Sequence, residues 1–392
     1  MKEDTLQESI EKGVTEALNA CMKCHLCNLF CPLVSSRVTQ GSFGINRAIY
    51  YGMKWNEFSD SLRDLVYSCT TCGKCEVMCT KVSRALPLRE LIEKTREYLL
   101  VEKMAGPMPE QATVLKNMYV RGNPWGNPSH ERTKWANGLD IPFASQDNQV
   151  DVLYFVGCAS SYDPYGQKIS KSLSKTLKKA NIKFGILENE VCSGHEARRM
   201  GENGLGEYLA ENNMAMFEEA GIRHIVTGDP HSFYTFTKEY PDGGNGLKVQ
   251  HYTQFLNDML DQGRLKLSTR IDKKVTYHDP CYLGRHSDVF DAPRKLIERI
   301  PGVVFKEIEN SKKLSDCCGM GGGRMWMEPP ERLTSSQIIS ERRIQQALDT
   351  GAEILLTACP FCNITLNDAV KSMGKEDTIE VMDITALISM AL

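Results

Sequence analysis

Two runs of four cysteines near the N-terminus constrain this chain more than any other feature. The first reads Cys21-x2-Cys24-x2-Cys27-x3-Cys31-Pro32, the second Cys69-x2-Cys72-x2-Cys75-x3-Cys79. Three thiolates at this spacing hold three corners of a four-iron cluster, and the fourth reaches a neighbouring cluster. The pattern predicts two cubane [4Fe–4S] sites, one at Cys21, Cys24, Cys27 and Cys79, the other at Cys69, Cys72, Cys75 and Cys31. Zinc also takes Cys-x2-Cys, but its sites usually pair two such hairpins per metal, and the x2-x2-x3 triplet is not their pattern. His25 reads as a non-ligating residue, because cysteine fills every required offset.

Length and charge bound the rest. A chain of 392 residues suggests two or three domains. Its 47 basic and 50 acidic residues nearly balance, which gives no footprint for nucleic acid or an anionic membrane. Fifteen cysteines, an odd number at metal-type spacings, fit a reducing compartment better than a secreted disulfide framework. The start, Met1-Lys2-Glu3-Asp4, has no signal-peptide pattern. No apolar run approaches the roughly 18–20 residues of a spanning helix. The expectation is a cytoplasmic chain that sits at the inner membrane only through a partner.

Apolar residues four apart (Leu6, Ile10, Val14, Leu18) predict a helix over residues 5–20. Helical spacing returns within 42–68 and 84–103. Residues 104–149, with Pro107, Pro109, Gly122, Pro124, Gly126 and Pro128, read as an ordered linker, since Trp125 and Trp135 are poor choices for a free tether. From 150 onward short apolar strands alternate with amphipathic helices, which implies parallel sheets covered on both faces. Strands are predicted at Val150–Val156, Ile182–Leu187, Ile222–Thr227, Lys274–His278, Val303–Ile308, Ile354–Thr357 and Ile379–Met382. The basic stretch Lys168–Lys179 reads first as the solvated face of a helix and second as a docking face for an acidic partner.

The second half repeats itself. Cys158 and Cys281, Cys192 and Cys317, Asp229 and Cys359, and Ser232 and Cys362 lie 123, 125, 130 and 130 positions apart. The fold class is therefore α+β and multi-domain. A helical two-cluster domain (1–103) and the linker (104–149) precede two α/β modules (150–270 and 271–392).

The words His278-Asp279-Pro280-Cys281, Cys317-Cys318-Gly319 and Cys359-Pro360-Phe361-Cys362 resemble the CCG domain of the heterodisulfide reductase superfamily. The helical insertion between the cysteine runs resembles the two-cluster domain of fumarate reductase iron–sulfur subunits. The whole chain resembles the D-subunit type, a two-cluster domain fused to two CCG modules. Relatives of that type include the C subunit of anaerobic glycerol-3-phosphate dehydrogenase and the D-like subunit of class II benzoyl-CoA reductase. The resemblance implies that Cys281, Cys317, Cys318, Cys359 and Cys362 hold a noncubane [4Fe–4S] cluster. Gly319, Gly321, Gly322 and Gly323 are expected to let backbone approach it, and Arg324 to offset its charge. This glycine run does not fit a dinucleotide fingerprint or a P-loop. A zinc site or buried structural cysteines are the alternatives for the five thiols.

The first module departs from the pattern. Ser193, Asp229 and Ser232 replace cysteines, and only Cys158 and Cys192 remain. No noncubane cluster is expected there. A mixed-ligand cluster using His195 or His231, a redox-active pair and a core remnant are the lesser readings.

The function expected is an electron-transfer subunit of an anaerobic heterodisulfide-reductase-like complex. A flavin-containing A-type subunit or another dehydrogenase subunit would be its partner. The alternatives are a catalytic subunit that reduces a disulfide at the noncubane cluster, and a quinone-linked subunit of a membrane dehydrogenase.

Overall fold

In the computed structural model, residues 5–36, 40–79, 86–103, 105–241, 246–327 and 338–392 are described. Helix Leu6–Ala20 starts at a capping box: the Glu8 N–H donates to Thr5 Oγ1 (3.3 Å) and the Thr5 N–H to Glu8 Oε2 (2.8 Å). Its stripe of Ile10, Val14 and Ala17 packs against Gly41–Trp55 and Leu88–Val101 in one core with Ile45, Ile49, Ile92, Leu99 and Val66 of helix Asp60–Tyr67. The predicted helix over 84–103 is observed as Leu88–Val101; positions 84 and 85 lie outside the described residues.

The linker is more structured than its proline content suggests. It holds helix Pro109–Arg121, which starts at proline and stops at Gly122 in the left-handed region (φ 67°). Val114 and Met118 face inward beside Cys158 and Cys192.

Each half of the remainder is a four-stranded parallel sheet. The first contains β1 (Val152–Phe155), β2 (Phe184–Gly185), β3 (His224–Thr227) and β4 (Lys248–His251) in the order β2-β1-β3-β4. The second contains β5 (Lys274–Tyr277), β6 (Val304–Phe305), β7 (Ile354–Thr357) and β8 (Glu380–Asp383) in the order β6-β5-β7-β8. The identical order reproduces the duplication. Strand β4 was not predicted: it is a polar edge strand, and its register, His224↔Lys248 to Thr227↔His251, comes from β3. The two modules share one core, in which Tyr154, Leu173 and Leu177 pack with Leu296, Leu356 and Leu387. Helix Pro164–Lys179 turns Ile169, Leu173 and Leu177 inward and leaves Lys168, Lys171, Lys175, Lys178 and Lys179 exposed.

Parallel strands carry their functional residues to one edge. Cys158 and Asp229 follow the carboxyl ends of β1 and β3, while Cys281 and Cys359 follow those of β5 and β7. The two cysteine-bearing edges meet across the module boundary.

Candidate iron–sulfur centres

The eight N-terminal cysteines fall into two groups. Cys21, Cys24, Cys27 and Cys79 line one cavity with Leu18 and Phe43. Burial, then the charges of Cys21 and Cys79, push the Cys27 thiol up to about 11. His25 adopts a left-handed conformation (φ 58°) and sets its ring edge-on to Phe43 at 4.9 Å. The second group is Cys31, Cys69, Cys72 and Cys75. Burial, then Cys72 and Cys69, raise Cys31 to about 12. In the tight turn, the Thr71 N–H donates to Cys69 Sγ at 3.4 Å. Cys24 is exposed, whereas Cys31 and Cys72 are buried. The first group therefore faces solvent and the second faces the interior.

In the second module Cys281, Cys317, Cys318, Cys359 and Cys362 are all buried. Their thiols stand within hydrogen-bond reach in sequence: Cys281 with Cys317, Cys317 with Cys318, Cys318 with Cys362, and Cys362 with Cys359. Cys317 also contacts Cys72 of the helical domain. The Gly319 N–H donates to Cys317 Sγ at 3.3 Å. A ring nitrogen of His278 lies within 4.8 Å of the Cys318 and Cys362 sulfurs. Its Nδ1 accepts from Arg343 Nε at 3.0 Å, and its Nε2 is buried without a protein partner. Soft, buried, convergent sulfur donors with an imidazole ring beside them fit an iron–sulfur cluster. Arg285 donates from Nε to Cys72 O at 2.8 Å, so a cation stands between the two cysteine groups. Lys74 pairs with Asp316, just before Cys317.

The glycine run has a more specific task than expected. A Cβ at Gly321 would sit 2.4 Å from Thr70 O, and one at Gly322 would sit 2.4 Å from Cys69 O. These glycines let two backbones meet, that of the second module and that of the Cys69–Thr71 turn. Arg324 donates from Nη1 to Ser68 O at 3.3 Å. Burial lowers its pKa, and the nearby Cys317 and Cys69 oppose that shift. Gly321→Ala is expected to push the turns apart at a cost of about 1–3 kcal/mol, the usual range for overpacking. A thermal-unfolding comparison with the parent chain checks this.

In the first module, side chains occupy the place where the second module gathers its thiols. Arg132 donates from Nη1 and Nη2 to Cys158 Sγ, both at 3.4 Å, and from Nη2 to Glu190 Oε1 at 2.5 Å. The Glu190 carboxylate also accepts from the Val156 and Gly157 N–H groups, each at 2.9 Å. Burial raises the Cys158 thiol, but the Cys192 hydrogen bond and the Arg132 charge outweigh it, and the net shift is downward. Asp229 and Ser232 are hydrogen-bonded to one another at 2.7 Å. Sequence reasoning missed Arg132 and Glu190, because neither lies in a motif. It also missed Arg96, which reads as an outward charge on an amphipathic helix but is fully buried.

Known proteins share this layout. A cysteine-rich domain model (CCG) matches residues 152–237 and 275–367, and a 4Fe-4S dicluster domain model matches 16–82. The D subunit of the dihydromethanophenazine:CoB--CoM heterodisulfide reductase of Methanosarcina barkeri is 31% identical, over 96% of this chain and 94% of that protein. The chain belongs to this family. It carries a 4Fe-4S dicluster domain and a duplicated cysteine-rich domain. Two further relatives are longer. The probable iron-sulfur-binding oxidoreductase FadF of Bacillus subtilis is 35% identical over 83% of this chain and 46% of its own length. The EtfAB:quinone oxidoreductase of Syntrophomonas wolfei is 32% identical over 84% of this chain and 47% of its own length. The chain thus spans about half the length of these two. Among the described residues, no helix is long and apolar enough to cross a membrane.

Proposed function

We propose that this chain is the electron-relay subunit of a heterodisulfide-reductase-like complex. The path would run from a solvent-facing [4Fe–4S] cluster at Cys21, Cys24, Cys27 and Cys79 through a second at Cys69, Cys72, Cys75 and Cys31. It would end at a noncubane cluster held by Cys281, Cys317, Cys318, Cys359 and Cys362. Bound there, such clusters supply one-electron chemistry at potentials set by hydrogen bonds, charge and burial. The observation that carries the reading is the contact between Cys72 and Cys317, which joins the inner N-terminal group to the five-thiol group. Around that contact, Arg285 and Gly319 offer a positive charge and an N–H donor. The buried Arg132–Glu190 pair stands against Cys158, and Ser193, Asp229 and Ser232 stand in place of three thiols, which speaks against a second noncubane site in the first module. The functional units are residues 1–103, 150–270 and 271–392, joined by 104–149. The partner that fits is a flavin-containing protein or another dehydrogenase component, docked at the exposed Cys24 end. The complex would be cytoplasmic, or held at the inner membrane by a partner.

A second reading, disulfide or quinone reduction by this chain itself, is favoured by one observation. A cleft lined by Cys318, Met320, Arg324, Ile339 and Thr365 opens onto the five-thiol site. Iron and acid-labile sulfide in the anaerobically purified chain test the relay reading. About 12 iron atoms per chain are expected, at four per cluster. About 16 would place a cluster in the first module and return two-cluster disulfide chemistry to first place, and about 8 after reconstitution would overturn the noncubane site.

A further inference from the structure

A guanidinium lies where the helical domain meets the second module. The turn after Cys281, closed by the Gly284 N–H on Pro280 O (2.9 Å) and the His286 N–H on Cys281 O (3.1 Å), carries Arg285. Arg285 donates from Nε to Cys72 O (2.8 Å) and from Nη1 to Ser315 O (2.5 Å) and Lys313 O (3.4 Å). The next residue, His286, meets Thr71 O at 3.1 Å, so the turn is fastened to the Cys69–Cys72 loop at two points. Cys72 belongs to the inner N-terminal group, and Ser315 lies two residues before Cys317. Arg285 therefore bridges the backbones that carry the two touching cysteines. Among the described residues its hydrogen-bond partners are all carbonyl oxygens, and its Nη2 is buried with no partner. Asp279 is already taken, since its two oxygens accept from Arg294 at 2.7 and 2.9 Å. Lys74 and Asp316, at the same junction, pair with each other and cancel. Arginine keeps its proton, and a guanidinium with an N–H sealed from water needs negative charge nearby. The cysteines can supply it. Burial lowers the pKa of Arg285, but Cys72, Cys281 and Cys317 outweigh burial and raise it. In return, contact with Cys317 and then burial push the Cys72 and Cys281 thiols up, and Arg285 opposes that push on both.

We propose that Arg285 is a counter-charge shared by the second cubane site and the noncubane site, and that it raises the reduction potentials of both. The inference deepens the relay reading above and rests on it. On reduction each centre gains one electron and becomes more negative by one charge; no bond forms or breaks, and Arg285 keeps its proton. A fixed positive charge stabilises the more negative state, so its loss lowers the potential. One cation placed between two centres moves both midpoints in the same direction. The inner electron step is thereby spared a large change in driving force.

The test is an EPR-monitored redox titration of the full chain, purified anaerobically, with all three signals followed. Arg285→Gln is expected to shift the reduction equilibria of the second cubane and of the third, noncubane signal at least tenfold each, which lowers each midpoint by about 59 mV for one electron. The solvent-facing cubane is expected to keep its midpoint. Arg324, bonded to Ser68 O, remains as a cation at the junction, so both inner centres are expected to keep their iron. Arg285→Lys keeps the charge and is expected to hold both midpoints closer to the parent than Arg285→Gln does. A role in packing alone would not rank the two so, because glutamine can still donate to Cys72 O. Should Arg285→Gln lose iron, Arg285→Met, also neutral, takes its place. Parent midpoints at both centres in the neutral variant, a shift at one centre alone, or equal shifts in Arg285→Lys and the neutral variant overturn this inference and leave the three-cluster reading standing. Iron near 8 atoms per parent chain overturns both.

Discussion

Arg96→Ala is expected to be the most damaging single substitution outside the cysteines, removing more than about 4 kcal/mol of stability. The guanidinium makes six hydrogen bonds to five backbone carbonyls. Val66, Tyr67 and Cys69 belong to the helical domain, Arg199 to the first module and Gly322 to the second. One side chain thus pins three bodies together beside the contact between the inner cysteine groups. Removing it leaves buried carbonyls without donors, at about 1–3 kcal/mol for each group that water cannot reach. Lysine keeps the charge but has three donors, so Arg96→Lys is expected to keep some of these contacts and to lose less stability than Arg96→Ala. Denaturant unfolding of the three chains ranks them. Equal midpoints for Arg96→Ala and the parent would show that water replaces the guanidinium.

Glu190→Ala is expected to cost about 3–5 kcal/mol, the range for breaking one half of a buried ion pair. The pair is almost wholly inaccessible, with side-chain exposures of 3% for Arg132 and 2% for Glu190. Alanine would also orphan the Val156 and Gly157 N–H groups. Removing both charges with Arg132→Met and Glu190→Leu is expected to recover part of the loss, since an apolar pair of similar volume avoids an unpaired buried charge. Denaturant unfolding of the single and double variants reads this. The iron content of the soluble Glu190→Ala protein should stay near the parent value, because the first module holds no cluster in this account.

How much of this was legible beforehand depended on the range of the interaction. The cysteine runs announced themselves because cluster chemistry dictates local offsets, and the duplication did so because each strand end carries a polar mark. Helix Pro109–Arg121 was hidden: its inward face offers Val114 and Met118 with a buried polar Gln111, too short a stripe to show a period. Strand β4 was hidden because an edge strand borrows its register from a neighbour. Arg96 has the local pattern of a surface charge, and its burial is decided by partners as far as 226 residues away. Arg132 and Glu190 are 58 residues apart and meet only once the sheet edge forms. Local chemistry was readable, whereas the contacts that join the bodies exist only in the tertiary fold.

The central claim is that the inner N-terminal cysteine group and the five-thiol group form one electron path through Cys72 and Cys317. EPR of the fully reduced chain tests it most directly. Two paramagnetic clusters whose ligands touch are expected to show broadened, split signals that simplify when only one of the two is reduced. Signals of the second cubane and the third cluster that stay sharp and simply add at full reduction would contradict the account.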